Sequence, residues 1–402
     1  MTEQEYKDLK KVFDKVKSPV EKKMKIQGEE ITIKTTTLDP IRIAMAAPRR
    51  TGKTSLLATI FRYMKEHITP NTFEIVINED DDNKVQEYAN TLQVIKNAKT
   101  DDDVTKKINN LEASNGIQSF KFTIRFKQTN DAKKTIFWIE LPFEIMDVAG
   151  GIVENDKNQD ANKREEFKAH LDESSILIVP FDSILLMEKP ITNDREKLDD
   201  FVSRRLSINN IEDWCIEWAK TRKNDRHPKV IFVAMKSETY HTNKTTADKS
   251  SRCFEEFNSK YRDTLFKLKE HAPTDLKITY TPLETLGCVK CNKSLFDDET
   301  EQMVYSFIKV DSIQNYLGAG IILGEIFERA KMQIKDTYGD AQTWIKAIKD
   351  MSWFEKIKHL LDTISAYWNE DGILDFFNGI QYIEQEIDSI AAKDKCKYAR
   401  TI

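Results

Sequence analysis

Long apolar runs are missing from this chain. The longest uncharged one, "YLGAGIILG" at 316–324, falls far short of the ~20 residues a helix needs to cross a bilayer. A dominant charge is missing too: 62 Lys and Arg are interspersed with 67 Asp and Glu for a formal −5, so no global field points to nucleic acid or an anionic membrane. Cysteine is scarce and odd in number. Cys215, Cys253, Cys288, Cys291 and Cys396 are widely spread, which fits a reducing compartment without structural disulfides. The N-terminal "MTEQEYKDLKKVFDKVK" is charged and has no apolar core, so no signal peptide is expected and the location expected is cytoplasmic. The six histidines show no ligand spacing, and the single C-x-x-C at Cys288 and Cys291 supplies half a tetrahedral zinc site. No structural metal is expected. No internal repeat is present.

What is there suits a large core: 402 residues, 40% hydrophobic and 32% charged, enough for two or three domains. The spacing predicts an N-terminal helix over 3–16 and two short strands around Gly28, together a preface spanning 1–39. An apolar strand from Ile41 to Ala47 is followed by "GKTS" and then by Leu57, Ile60, Phe61 and Met64 at helical spacing. Residues 70–116 are polar and partly helical, and read as an insertion. Phe120, Phe122, Ile124 and Phe126 alternate into a hairpin whose second strand runs from Thr135 to Met146. Further strands are expected at 175–181, 229–235 and 277–283, with helical patterns around the second. This alternation predicts an α/β fold, a mostly parallel sheet with helices on both faces over 40–297. From about 298 to 402 strand signals fade and helical ones dominate, with Trp344, Ile348, Trp353, Phe354, Ile357, Leu360 and Leu361 on apolar stripes that read as core or as a partner-docking face.

The stretch "AAPRRTGKTS" carries the chemistry. A phosphate-binding loop needs backbone amides curled around a phosphate, a lysine for its oxygens and a hydroxyl for Mg²⁺, all at a helix N-terminus. Gly52, Lys53 and Thr54 supply the invariable half of G-x-x-x-x-G-K-S/T, and Ala47 stands in for the first glycine, where a methyl group is tolerated if φ stays negative. Ala47, Pro48, Arg49, Arg50, Thr51, Gly52, Lys53, Thr54 and Ser55 are therefore the candidate phosphate contacts. The strand ending at Met146 runs into "DVAG". Asp147 there can hold Mg²⁺ together with Thr54, and Gly150 can turn its N–H toward a γ-phosphate. After "VIFVAM" stand Lys236 and Glu238, where lysine packs along a base and a carboxylate accepts from guanine's N1–H and amine. Met235 gives no polar support, which leaves ATP open beside GTP. Thr285 and Leu286, followed by Gly287, fall where a short loop touches the base from the other side.

With these stations in order, residues 40–295 resemble the TRAFAC class of P-loop GTPases, whose Ras-like core has one antiparallel strand before the D-x-x-G strand. The long polar segment, the "DVAG" sensor and the imperfect base motif are most similar to bacterial "double-GTPase" proteins of conflict systems, which implies a part in defence or signalling. "RTGKT" is similar to the loop of guanylate-binding proteins and atlastins, where an arginine at the place of Arg50 acts as an internal finger. Gly151 stands where Ras-like proteins carry a water-positioning glutamine, so Glu154 or a main-chain carbonyl would orient water. Arg49 is expected to shield the site or touch a partner. Thr91, Thr100 and Thr105 are all open as the Mg²⁺-binding switch threonine. The resemblance implies a Mg²⁺-dependent GTP-hydrolysing switch, with Arg50, Lys53 and Gly150 catalytic, a protein partner reached through the C-terminal helices, and nucleotide-dependent dimerisation left open. The rivals are an ATPase on the same core, a non-hydrolysing pseudo-GTPase scaffold, and a dynamin-like membrane GTPase for which no lipid-binding element is evident.

Overall fold

The structure is a computed structural model that describes residues 20–26, 29–67, 73–109, 117–130, 135–148, 150–154, 161–190, 192, 194–240, 249–287, 289–299, 302–310, 318–339, 377–385, 388 and 399–402. The expected helix over 3–16 and the aromatic stripes at 344–361 lie outside these residues.

An antiparallel hairpin of β1 (Val20–Ile26) and β2 (Glu29–Thr37) leads to the first central strand, β3 (Ile41–Met45). Both β2 and β3 lie parallel to one edge of β6 (Thr135–Val148), the first beside residues 135–140 and the second beside 143–147. Leu38 N–H donates to Glu140 O at 2.8 Å across the break. The other edge of β6 carries β5 (Ile117–Asn130), antiparallel along its whole length, and β5 in turn pairs with β4 (Phe73–Ile77). From β3 the sheet continues in parallel through β7 (Ile176–Asp182), β8 (Lys229–Met235) and β9 (Lys277–Pro282). The two-residue β12 (Arg400–Thr401) closes this edge antiparallel to β9. The protein is thus α/β, with a mixed and mostly parallel ten-stranded sheet among the described residues.

Helices cover both faces because the strands are apolar on both. All seven residues of β7 and of β8 are buried, as strands between two helical layers require. Ile41, Ile43 and Met45 of β3 point to one face with α1 (Lys53–His67), while Ala44 and Ala46 join Phe167 and Trp218 on the other. Between β4 and β5 lie α2 (Glu79–Lys96) and α3 (Asp101–Asn109). The second face is built by α5 (Ala161–Glu173), α7 (Arg195–Leu206), α8 (Ile208–Thr221), α9 (Ser250–Lys260) and α10 (Arg262–His271), while α4 (Gly150–Val153) and α6 (Ser183–Met187) are short connections.

Two expectations are corrected. Residues 70–116 are not wholly an insertion, since β4 extends the main sheet and Ile75 and Ile77 pack on its core. Strand structure also continues past 298: β10 (Val289–Asp297) and β11 (Gln302–Lys309) form a separate hairpin. That hairpin holds α3, through Phe307 N–H to Thr105 Oγ1 at 2.8 Å and Lys309 N–H to Asp101 Oδ1 at 2.8 Å. The helix that follows, α11 (Ala319–Tyr338), buries Ile322, Leu323, Ile326 and Phe327 in the same core as α1 and β3. It begins at Gly318, φ +88°, where a β-carbon would meet Pro282 O at 1.8 Å. Its Glu325 then accepts from the buried Lys229 at the foot of β8 at 2.5 Å, which ties α11 across the sheet. No helix among the described residues is long and apolar enough to cross a membrane.

Candidate functional site

The site forms where β3 ends and α1 begins. Ala46 N–H donates to Ile178 O at 3.0 Å, fixing the loop's start to β7. The chain then turns through two left-handed residues, Arg50 at φ 61° and Gly52 at φ 101°, and becomes helical at Lys53. Ala47 is not among the residues with positive φ, so its methyl group is accommodated as the sequence required. Thr51 Oγ1 donates to Pro48 O at 2.8 Å, and Lys53 Nζ reaches across the loop to Ala47 O at 3.0 Å and Pro48 O at 3.2 Å. Lys53 is only 5% exposed. Burial lowers its pKa, opposed by the charges of Asp147 and Glu154. Thr54 and Ser55 lie half-buried in the first turn of α1.

Asp147 pairs in register with Met45, which sets it beside the root of this loop. It is 1% exposed, and neither carboxylate oxygen accepts a hydrogen bond among the described residues. Burial pushes its pKa up to about 6 although the Lys53 charge pulls the other way. A buried carboxylate without donors is costly unless a cation or water completes it. Two residues on from Val148, Gly150 is wedged against the loop: a β-carbon there would lie 2.2 Å from Arg49 N and 2.6 Å from Pro48 C. Only glycine fits.

Lys236, Glu238, Thr285 and Leu286 also meet, because β8 and β9 are parallel neighbours and deliver their C-terminal ends to one edge of the sheet. Lys236, itself left-handed at φ 57°, donates to Arg50 O at 3.3 Å and pairs with Asp182. Glu238 is buried, and its Oε1 accepts from Thr285 N–H at 2.8 Å and Leu286 N–H at 2.9 Å, with Gly287 N–H at 3.4 Å. Met235 is buried beneath the loop, its Cε 3.3 Å from where a β-carbon on Gly52 would stand, so it packs where a polar residue was expected.

Arg49 and Arg50 differ. Arg49 N–H donates to Glu154 Oε1 at 2.7 Å, while Arg50 is exposed and makes no ion pair among the described residues. The three threonines are engaged elsewhere: Thr91 bonds to Glu87 O within α2, Thr100 caps α3, and Thr105 is tied to Phe307. Two residues escaped the sequence. Asp182 caps α6 through Ile184 N–H at 2.9 Å while holding Lys236, and its only signal was an aspartate between a strand and an apolar helix. Glu284, whose carboxyl burial and the nearby Glu238 push up to about 8, gave no signal at all.

No three His, Cys, Asp or Glu side chains converge as a metal cluster among the described residues. Cys215, Cys253 and Cys291 are free thiols. Compared with known proteins, the chain matches no family model and no curated protein.

Proposed function

We propose that this chain is a Mg²⁺-dependent nucleoside triphosphatase, with GTP its favoured substrate, that works as a conformational switch. One observation carries the proposal: a buried lysine at the first turn of a helix, entered by a left-handed loop, beside a buried carboxylate that accepts no hydrogen bond among the described residues. A helix N-terminus with its backbone amides and a lysine attracts phosphate, and the carboxylate suits a hydrated divalent cation. The sheet order β5, β6, β3, β7, β8, β9, with β5 antiparallel, supports a Ras-like core.

In this mechanism Lys53 and the backbone N–H groups of Arg49 to Ser55 hold the phosphates. Asp147 and Thr54 would hold Mg²⁺, which neutralises charge on the β- and γ-oxygens when bound. Gly150, in contact with the loop backbone, responds to the terminal phosphate, and Arg50 neutralises charge that develops as the γ-phosphoryl group departs. Lys236 packs along the base. Because the amides of Thr285 and Leu286 fix one oxygen of Glu238, the other is oriented as an acceptor. An acceptor matches guanine's N1–H and amine, whereas adenine presents an acceptor at N1.

Met235 favours a second reading, an ATPase, since it leaves the base site with less polar support. Competition against a labelled guanine nucleotide separates the two. GTP is expected to displace the label at least roughly tenfold better than ATP, the worth of one charge-assisted hydrogen bond. Equal displacement by the two would refute guanine selectivity.

A further inference from the structure

Glu154 closes the turn that begins at Gly150, with Glu154 N–H donating to Gly150 O at 2.8 Å. Its carboxylate reaches a residue 105 positions away: Oε1 accepts Arg49 N–H at 2.7 Å, and Oε2 stands 3.7 Å from Arg49 Nε. Its charge is also felt by Lys53. A carboxylate oxygen on a backbone amide of this loop, near the lysine, uses the same kind of donors that a phosphoryl oxygen would use. The contact is held in place, because Gly150 is packed against Arg49 with no room for a β-carbon.

We propose that Glu154 is an internal anion that competes with the terminal phosphoryl group of a nucleotide for the Arg49 amide, and so sets the preference of the site between tri- and diphosphates. This rests on residues 47–55 being a phosphate loop. Gly150 and Arg49 meet at the end of the loop that faces the γ-phosphate, beside the Lys53 that spans the β- and γ-groups. A diphosphate leaves the contact between Glu154 and Arg49 in place. A triphosphate displaces it, and the displaced turn then differs between the two bound forms. Binding of the terminal phosphate is therefore opposed by a hydrogen bond that diphosphate binding does not break.

The test is equilibrium titration of the full chain, in Mg²⁺, with GDP and with a non-hydrolysable GTP analogue. Glu154→Gln and Glu154→Ala are compared with the native chain. Both variants are expected to bind the triphosphate analogue roughly tenfold more tightly while GDP affinity moves by less than about twofold. Unchanged binding of the analogue, equal tightening of both nucleotides, or weaker binding of both, the mark of a structural role, would overturn the proposal while leaving the phosphate loop intact. A native chain that binds neither nucleotide nor inorganic tripolyphosphate would instead remove the phosphate loop, and the role of Glu154 with it.

Discussion

Replacing Arg50 with alanine is expected to lower triphosphate turnover by ~10³-fold or more, with nucleotide affinity kept within about threefold, as for a group that acts only in the transition state. Arg50 adopts φ 61°, a left-handed conformation that costs a non-glycine residue about 1 kcal/mol. Its side chain forms no ion pair among the described residues and is exposed, one residue before Thr51 and three before Lys53 in the loop. No ion pair among the described residues therefore calls for an arginine here. Glycine at this position would relieve the strain, so Arg50→Gly is expected to gain about 1 kcal/mol in stability while losing the same turnover. Single-turnover hydrolysis alongside urea unfolding checks both. Turnover of Arg50→Ala within about tenfold of native would leave Arg50 without the role of a finger.

Asp147→Asn is expected to abolish Mg²⁺-dependent turnover and yet stabilise the protein at pH 7 in a chelator. The folded carboxyl titrates at about 6 against an ordinary 3.8. Its favourable contribution is therefore fully present below about 3.8 and is lost as pH rises through about 6. By pH 7 the buried charge is a liability on the order of 3 kcal/mol. Asparagine removes it. Denaturant unfolding should show a gain for the variant at pH 7 that shrinks toward pH 4. Added Mg²⁺ should narrow the gap at pH 7 from the other side, by stabilising the native chain alone. A variant less stable than native at pH 7 would mean that the carboxylate has donors after all, and the candidate cation site would lose its main support.

How much of this was legible in the sequence depended on whether the signal was local. The runs of β3, β7 and β8 were plain because a strand buried on both faces needs unbroken apolar residues. The loop was plain because positive φ at Gly52 and a helix starting at Lys53 are local demands. β4 was hidden: five residues, "FEIVI", between strongly polar flanks carry too short a period to separate strand from helix. β11 was hidden for another reason. Its strand partner among the described residues is β10, and it is held to α3 by a contact between residues 202 positions apart. The bonds of Glu154 to Arg49 and of Lys236 to Asp182 were also beyond reach, since only the folded sheet brings those strand ends together.

Phosphate release by the purified chain, given GTP with and without Mg²⁺, tests the central claim most directly. The account predicts release that requires Mg²⁺ and disappears in Lys53→Ala, whose lysine is the buried cation of the loop. Absence of release from both GTP and ATP, or release that survives Lys53→Ala unchanged, would contradict it.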